Sequence, residues 1–236
     1  MTRQNSGRLY LVPTFLETHL RRDSLPEMVP KALTEITLLV VENAKTARQH
    51  LKQILPEKPV AEWTMLPWNK HGETDLEQVW VALAAGHSVG IISEAGCPGF
   101  ADPGADIVAE AHRRGIEVVP LVGPSSLILA LMASGFSGQS FQFHGYLAKD
   151  PSDLKRQLQD MEKTAGKATQ IWIETPFRNQ NHLQTLLKQL NPQTRLCIAC
   201  DLLDPHGWVR TQPISAWRKA IPDLAKKPCI FLLGSV

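Results

Sequence analysis

Cysteine is scarce in this chain: Cys97, Cys197, Cys200 and Cys229 are the only four in 236 residues. Their number and dispersal exclude a disulfide framework and point to reduced thiols. Cys197 and Cys200 have Cys-x-x-Cys spacing, but they stand inside an apolar, strand-like run. Redox pairs open a helix, and a zinc site needs two further ligands, so buried strand cysteines are expected. No apolar run approaches the ~20 residues of a bilayer span. The first residues lack the apolar segment of about 7–15 residues that marks a secretory signal. A soluble, cytoplasmic protein without a membrane partner is therefore expected. Several site patterns are missing as well. There is no Gly-x-x-x-x-Gly-Lys-Ser/Thr loop, and no Gly-x-Gly-x-x-Gly follows a strand, which disfavours nucleoside triphosphates. The stretch Gly123-Pro124-Ser125-Ser126-Leu127 has Leu127 where a nucleophile elbow needs its second glycine. The eight histidines are scattered without a His-Glu-x-x-His pairing, so no metal site is expected.

What remains is an ordinary globular composition, 43% hydrophobic and 20% charged, with capacity for one large or two modest domains. The net charge of +2 is divided unevenly: residues 1–122 carry −3 and residues 123–236 carry +5. An anionic substrate would meet the basic half, although solvated surface charge gives the same pattern.

Apolar runs and breakers set out the elements. Strands are expected at 8–12, 36–41, 89–93 and 116–122, with a Pro-punctuated, partly helical segment between the first two. Helices are expected at 44–55, stopped by Pro56 and Pro59, and at 74–86, opened by the Thr74-x-x-Glu77 capping box with Leu76, Val79, Trp80 and Leu83 on one face. A third, with Asp102 as N-cap and Pro103 at its first position, runs to Gly115. Residues 125–134 form a helix apolar enough to be buried between layers. Beyond it come strand 141–146, helix 152–164, strand 169–174, helix 177–190, strand 194–200 and strands near 208–211 and 229–233. This alternation implies two α/β domains, residues 1–122 with a largely parallel sheet and residues 123–236 with a mixed sheet, meeting at a cleft.

Two turns look chemical. Ile91-Ile92-Ser93-Glu94-Ala95-Gly96-Cys97-Pro98-Gly99-Phe100 runs from an apolar strand into a turn dense with Gly and Pro, and Gly123-Pro124-Ser125-Ser126 follows the next strand. Ligands in open α/β sheets sit outside the carboxyl ends of strands, where such loops converge. Unpaired backbone groups, small residues and the Glu94 carboxylate suit a polar zwitterion attached to an apolar ring.

The first turn, continued through Asp102-Pro103-Gly104, resembles the S-D-A-G-T-P-x-I-S-D-P-G motif of the tetrapyrrole-methylase-like, class III S-adenosylmethionine-dependent methyltransferases. Val118-Val119-Pro120-Leu121-Val122-Gly123-Pro124-Ser125-Ser126, Phe143-His144-Gly145-Tyr146-Leu147 and Glu174-Thr175-Pro176-Phe177-Arg178 are similar to further segments of its branch of small-subunit ribosomal RNA 2'-O-ribose methyltransferases. The resemblance implies S-adenosyl-L-methionine held in the cleft by Pro13, Glu94, Cys97, Phe100, Ser126, Leu127, Thr175 and Leu202, and a homodimer. The chain departs from the pattern at Val12-Pro13-Thr14-Phe15-Leu16, where the family has T-P-I-G-N, and at Val41-Glu42-Asn43-Ala44-Lys45, where it has A-E-D-T-R. Glu94 replaces an Asp, and Asp201-Leu202-Leu203-Asp204 stands in place of E-L-T-K.

A ribose hydroxyl attacks a sulfonium methyl efficiently only when its proton leaves, so a carboxylate base is expected. Glu42 and Glu174, each ending a strand, are the candidates, with Arg178 holding an acceptor phosphate or carboxylate. Alternatively, Glu174 and Arg178 pair with each other. RNA, above all ribosomal RNA, is the expected partner. Methylation of a tetrapyrrole or other small acid, and cofactor binding without catalysis, are the other readings.

Overall fold

The computed structural model describes residues 7–16, 24–68, 76–101 and 104–235. The capping residue Thr74 and the helix-opening pair Asp102 and Pro103 lie outside these. The chain divides into two compact units, Met1–Ser125 and Ser126–Val236.

The first unit is a five-stranded parallel sheet. Its strands are β1 (Leu9–Val12), β2 (Leu38–Val41), β3 (Thr64–Pro67), β4 (Val89–Ile92) and β5 (Val118–Pro120), in the order β3-β2-β4-β1-β5. The helices are α1 (Met28–Glu35), α2 (Ala44–Ile54), α3 (Glu77–Ala84) and α4 (Ala105–Arg113). Side-chain parity along the strands explains why helices cover both faces. Tyr10, Val12, Leu39, Val41 and Ile92 pack with α1 and α2 residues such as Leu33, Leu51 and Ile54. Leu9, Val40, Val89 and Ile91 pack instead with Val79, Trp80, Leu83, Ile107 and Ala111 of α3 and α4. Asn43 starts α2 by accepting hydrogen bonds from the Lys45 and Thr46 amides, a side-chain N-cap. The 3-10 turn Val60–Glu62 and the short edge strand β3 carry no signal in the sequence reading; β3 ends on Pro67, which only an edge tolerates.

The second unit contains α5 (Ser126–Ser134), β6 (Phe141–Tyr146), α6 (Pro151–Thr164), β7 (Thr169–Ile173), α7 (Asn179–Gln189), β8 (Arg195–Cys200), β9 (Trp208–Pro213), α8 (Ile214–Trp217) and β10 (Cys229–Leu233). The sheet order is β6-β7-β10-β8-β9, with only β6 and β7 parallel, so it is mixed. One face carries Trp172, Ile198, Phe231 and Leu233 against α6, α7 and α8. The other carries Ile171, Cys197, Ala199 and Leu232 against α5. Asp150 caps α6 with Pro151 at its first position, and the Ser152 hydroxyl and the first amides of the helix hold its carboxyl below the ordinary range.

Helix α5 corrects one expectation. Leu127, Ala130, Leu131 and Ser134 are buried, but Ile128 is 39% and Met132 75% exposed. A single sheet face covers only the i, i+3, i+4 stripe of a helix, so an apolar sequence all round does not bury it all round. The cysteine reading gains a geometric reason: Cys197 and Cys200, three apart on β8, point to opposite faces and join different clusters. Burial pushes the Cys197 thiol up to about 11. Among the described residues no helix is long and apolar enough to cross a membrane.

Candidate active site

Strand β1 lies between β4 and β5 and is parallel to both, so the loops leaving their carboxyl ends are neighbours in space. The loop after β1 is bonded to the turn after β4: the Thr14 amide donates to the Gly96 carbonyl at 2.8 Å, and the Thr14 hydroxyl donates to the Ser93 carbonyl at 3.4 Å. The Cys97 thiol donates to the Pro124 carbonyl at 3.3 Å, joining that turn to the loop after β5. Glycine is required at two points. A Cβ on Gly123 would lie 2.1 Å from Pro13 Cβ, so only glycine lets the first and third loops touch. Gly96 has φ +75°, and a Cβ there would meet Leu16 at 3.1 Å and the Pro124 carbonyl at 3.2 Å. The third loop also holds a buried Ser125 hydroxyl with no hydrogen-bond partner among the described residues.

Helix α2 braces this turn from beneath. The Thr46 hydroxyl donates to Glu94 Oε1 at 3.2 Å, and His50 Nε2 meets the Glu94 carbonyl at 3.0 Å. Burial pushes the His50 imidazole below its ordinary pKa, so it is the neutral ring that donates to the carbonyl. Glu42, at the tip of β2, lines one small crevice with Ser93, Ile92 and Trp68.

Pro13, Glu94, Cys97 and Phe100 therefore belong to one loop cluster of the first unit, with Phe100 41% exposed and its amide bonded to the Cys97 carbonyl. Ser126, Leu127, Thr175 and Leu202 belong to the second unit. There, Leu127 and Leu202 pack in one apolar cluster under α5. Leu202 sits in a tight turn whose flanking residues Asp201 and Leu203 have φ of 50° and 71°. Thr175 lies in the turn that leads into α7, its carbonyl accepting from the Arg178 and Asn179 amides.

Glu174 and Arg178 pair. Arg178 Nη2 donates to Glu174 Oε2 at 2.9 Å, with the carboxylate side chain 4% and the guanidinium side chain 43% exposed. Glu174 Oε1 accepts from the Thr175 amide at 2.7 Å, so both carboxylate oxygens are engaged. Behind them, the Trp172 indole donates to His182 Nε2 at 2.8 Å, and burial holds His182 at about 4. Asn179 donates to the Lys227 carbonyl at 2.6 Å and Gln180 accepts from the Leu224 amide at 2.7 Å, fixing the 222–228 loop against the start of α7.

The sequence reading placed Thr14 and Gly123 in its candidate loops but missed Thr46 and His50 as builders of the site. A signal existed for His50: it falls with Ala47, Leu51 and Ile54 on the buried stripe of α2, where a histidine needs a polar partner.

A family model described as Tetrapyrrole (Corrin/Porphyrin) Methylases matches residues 16–203. Ribosomal RNA small subunit methyltransferase I of Vibrio cholerae is 29% identical over 211 residues, covering 88% of this chain and 69% of that protein. The protein of the same name from a Synechocystis species is 30% identical over 203 residues, covering 85% and 68%. Among solved structures, the methyltransferase CobJ superposes with a TM-score of 0.62 at 21% identity, covering 98% of this chain and 95% of that one. Uroporphyrin-III-C-methyltransferase from Thermus thermophilus superposes with a TM-score of 0.54 at 17% identity, covering 97% and 94%. At these identities the structural likeness is one of fold.

Proposed function

The chain belongs to the tetrapyrrole methylase family and is a methyltransferase, and from that premise we propose that it uses S-adenosyl-L-methionine to methylate a ribose 2'-hydroxyl of small-subunit ribosomal RNA. The observation that carries RNA over other acceptors is the name shared by relatives about 30% identical across 85–88% of the chain. The greater positive charge of residues 123–236 supports an anionic acceptor. Action in the cytoplasm and as a homodimer belongs to the same proposal.

The three-loop cluster fits the donor. Ser125 supplies a buried hydroxyl that lacks a partner among the described residues, and an unpaired buried polar group is costly unless a ligand satisfies it. Pro13 and Cys97 form apolar walls, and the turn from Glu94 to Phe100 offers backbone groups. When bound, the sulfonium supplies an electrophilic methyl carbon for in-line displacement and needs no metal.

The residues of the chain position the acceptor and take its proton. Glu42 accepts the 2'-hydroxyl proton as the oxygen–carbon bond forms and the sulfur–carbon bond breaks, leaving S-adenosylhomocysteine. Glu174 is not the base in this scheme, because its oxygens are engaged by the Thr175 amide and Arg178. It acts as a positioning residue that orients the guanidinium, and the exposed part of Arg178 holds an acceptor phosphate.

The test is incubation of purified protein and methyl-labelled donor with small-subunit ribosomal RNA, as free RNA and as subunits from a deletion strain. A single 2'-O-methyl nucleotide found by mass spectrometry is the expected result. Label entering only free tetrapyrrole acids overturns the RNA acceptor, and donor binding without transfer to any cell fraction overturns catalysis.

A further inference from the structure

Phe177 is 79% exposed, more than any other large apolar side chain among the described residues. Its surroundings are tethered. The Glu174 carboxylate accepts from the Thr175 amide, and the Thr175 carbonyl accepts from the Arg178 and Asn179 amides at 2.9 and 3.1 Å. The Lys226 amide donates to the Pro176 carbonyl at 3.0 Å, and the Arg178 guanidinium is held by Glu174. An aromatic ring presented to water on a turn fixed at five neighbouring residues is preorganised to receive a planar partner, with little ordering entropy left to lose on binding.

The chemistry beside it selects the partner. Two cations belong to the same turn: Arg178 follows Phe177 in the chain, and the exposed Lys226 is bonded through its amide to Pro176, the residue before Phe177. Asp223, the carboxylate of the same loop, is engaged by the Ala225 amide at 3.0 Å. Tyr146, 61% exposed, ends strand β6 in register with Ile173 of β7, so a second ring stands at the same end of the sheet. Exposed aromatics beside cations are the elements of a single-stranded nucleic-acid platform, in which rings stack on bases and cations take the phosphates.

We infer that Phe177 stacks an unpaired base of the RNA acceptor, with Tyr146 available at the same end of the sheet, while Arg178 and Lys226 hold the flanking phosphates. This rests on the proposal that the acceptor is RNA, and it adds that the acceptor nucleotide lies in an unpaired segment.

The experiment compares wild type with Phe177→Ala, Phe177→Leu and Phe177→Trp. It measures KM and kcat on small-subunit ribosomal RNA, donor affinity by calorimetry and the thermal midpoint. Phe177→Ala should raise KM for RNA by roughly 5- to 150-fold, the range set by loss of one base–aromatic stack. Donor affinity and thermal midpoint should stay at wild-type values, as expected for an exposed ring. Phe177→Trp should restore KM and Phe177→Leu, apolar but without a π face, should not. An unchanged KM in Phe177→Ala, or full rescue by Leu, overturns the stacking role while leaving the RNA acceptor intact. A Phe177→Ala defect seen on a free tetrapyrrole but not on RNA overturns the base as the partner. Wild-type protein inert on RNA removes the acceptor proposal and this one together.

Discussion

His182 gives the most quantitative prediction. The ring is buried, accepts a hydrogen bond from the Trp172 indole at 2.8 Å, and packs edge-on against Phe231 at 5.2 Å between centroids. Burial lowers its pKa from 6.5 to about 4; the Glu174 carboxylate pulls it up and the Arg178 guanidinium pushes it down by less. The neutral ring belongs to the folded state, whereas the unfolded chain takes up a proton as pH falls through 6.5. Stability is therefore fully present above 6.5, falls as pH drops, and levels off below about 4. At about 1.4 kcal/mol per pH unit the whole interval amounts to about 3 kcal/mol, and about 2 kcal/mol is already lost at pH 5. Urea titrations of wild type and His182→Gln between pH 7.5 and 4 would measure it. Glutamine can still accept from the indole but does not titrate, so its stability should fall less steeply by about those amounts. His50, pushed down by burial in the first unit, contributes equally to both proteins and cancels in the comparison. Parallel curves for the two proteins would refute the reasoning.

Three other substitutions test the site. Gly123→Ala places a Cβ 2.1 Å from Pro13 Cβ, so the first unit should lose about 1–3 kcal/mol and donor affinity should fall at least ~10-fold by calorimetry. Wild-type affinity would mean that the loop contact does not shape the donor site. Asn43→Ala removes the α2 cap and should cost about 1 kcal/mol in denaturant melts. Because Thr46 and His50 of that helix hold Glu94, donor affinity should weaken too, and Asn43→Asp should restore both. Glu174→Gln keeps an acceptor for the Thr175 amide but removes the charge that holds Arg178. Since the guanidinium is 43% exposed, the fold should lose only about 1 kcal/mol. The KM for RNA should rise several-fold with donor affinity unchanged; an unaltered KM would show that Arg178 does not touch the acceptor.

Much of the fold is legible because periodicity and breakers agree. The stripe Val79, Trp80 and Leu83 is buried as its spacing requires, and the continuous apolar runs of β2 and β4 are covered by helices on both faces. Strand β3 is not legible. Thr64-Met65-Leu66-Pro67 neither alternates nor forms a buried run, and it is a strand only because β2 offers it a parallel edge. The site is half legible for a related reason. The turn residues announce themselves locally, but the contact of Pro13 with Gly123 joins residues more than a hundred positions apart and exists only through the register of β1 with β5.

The departures from the family pattern have different consequences because the loop cluster of the first unit and the residues proposed to meet the acceptor are built from different materials. The loop cluster proposed to take the donor is built largely from backbone. The Gly96 carbonyl takes the Thr14 amide, the Pro124 carbonyl takes the Cys97 thiol, and the Glu94 carbonyl takes His50. Glu in place of Asp at position 94 leaves the carbonyl contact untouched, and the longer carboxylate still reaches Thr46. Asp201 to Asp204 likewise keeps a backbone-defined turn. The Asp204 amide bonds the Asp201 carbonyl, and Gly207 closes it because a Cβ there would lie 1.9 Å from that same carbonyl. The residues proposed to meet the acceptor, Phe177, Arg178 and Tyr146, would instead act through side chains, whose chemistry changes with every substitution. Exchanges around the donor loops should therefore alter affinity modestly provided the glycines stay, whereas exchanges at Phe177 or Arg178 should alter which acceptor is methylated.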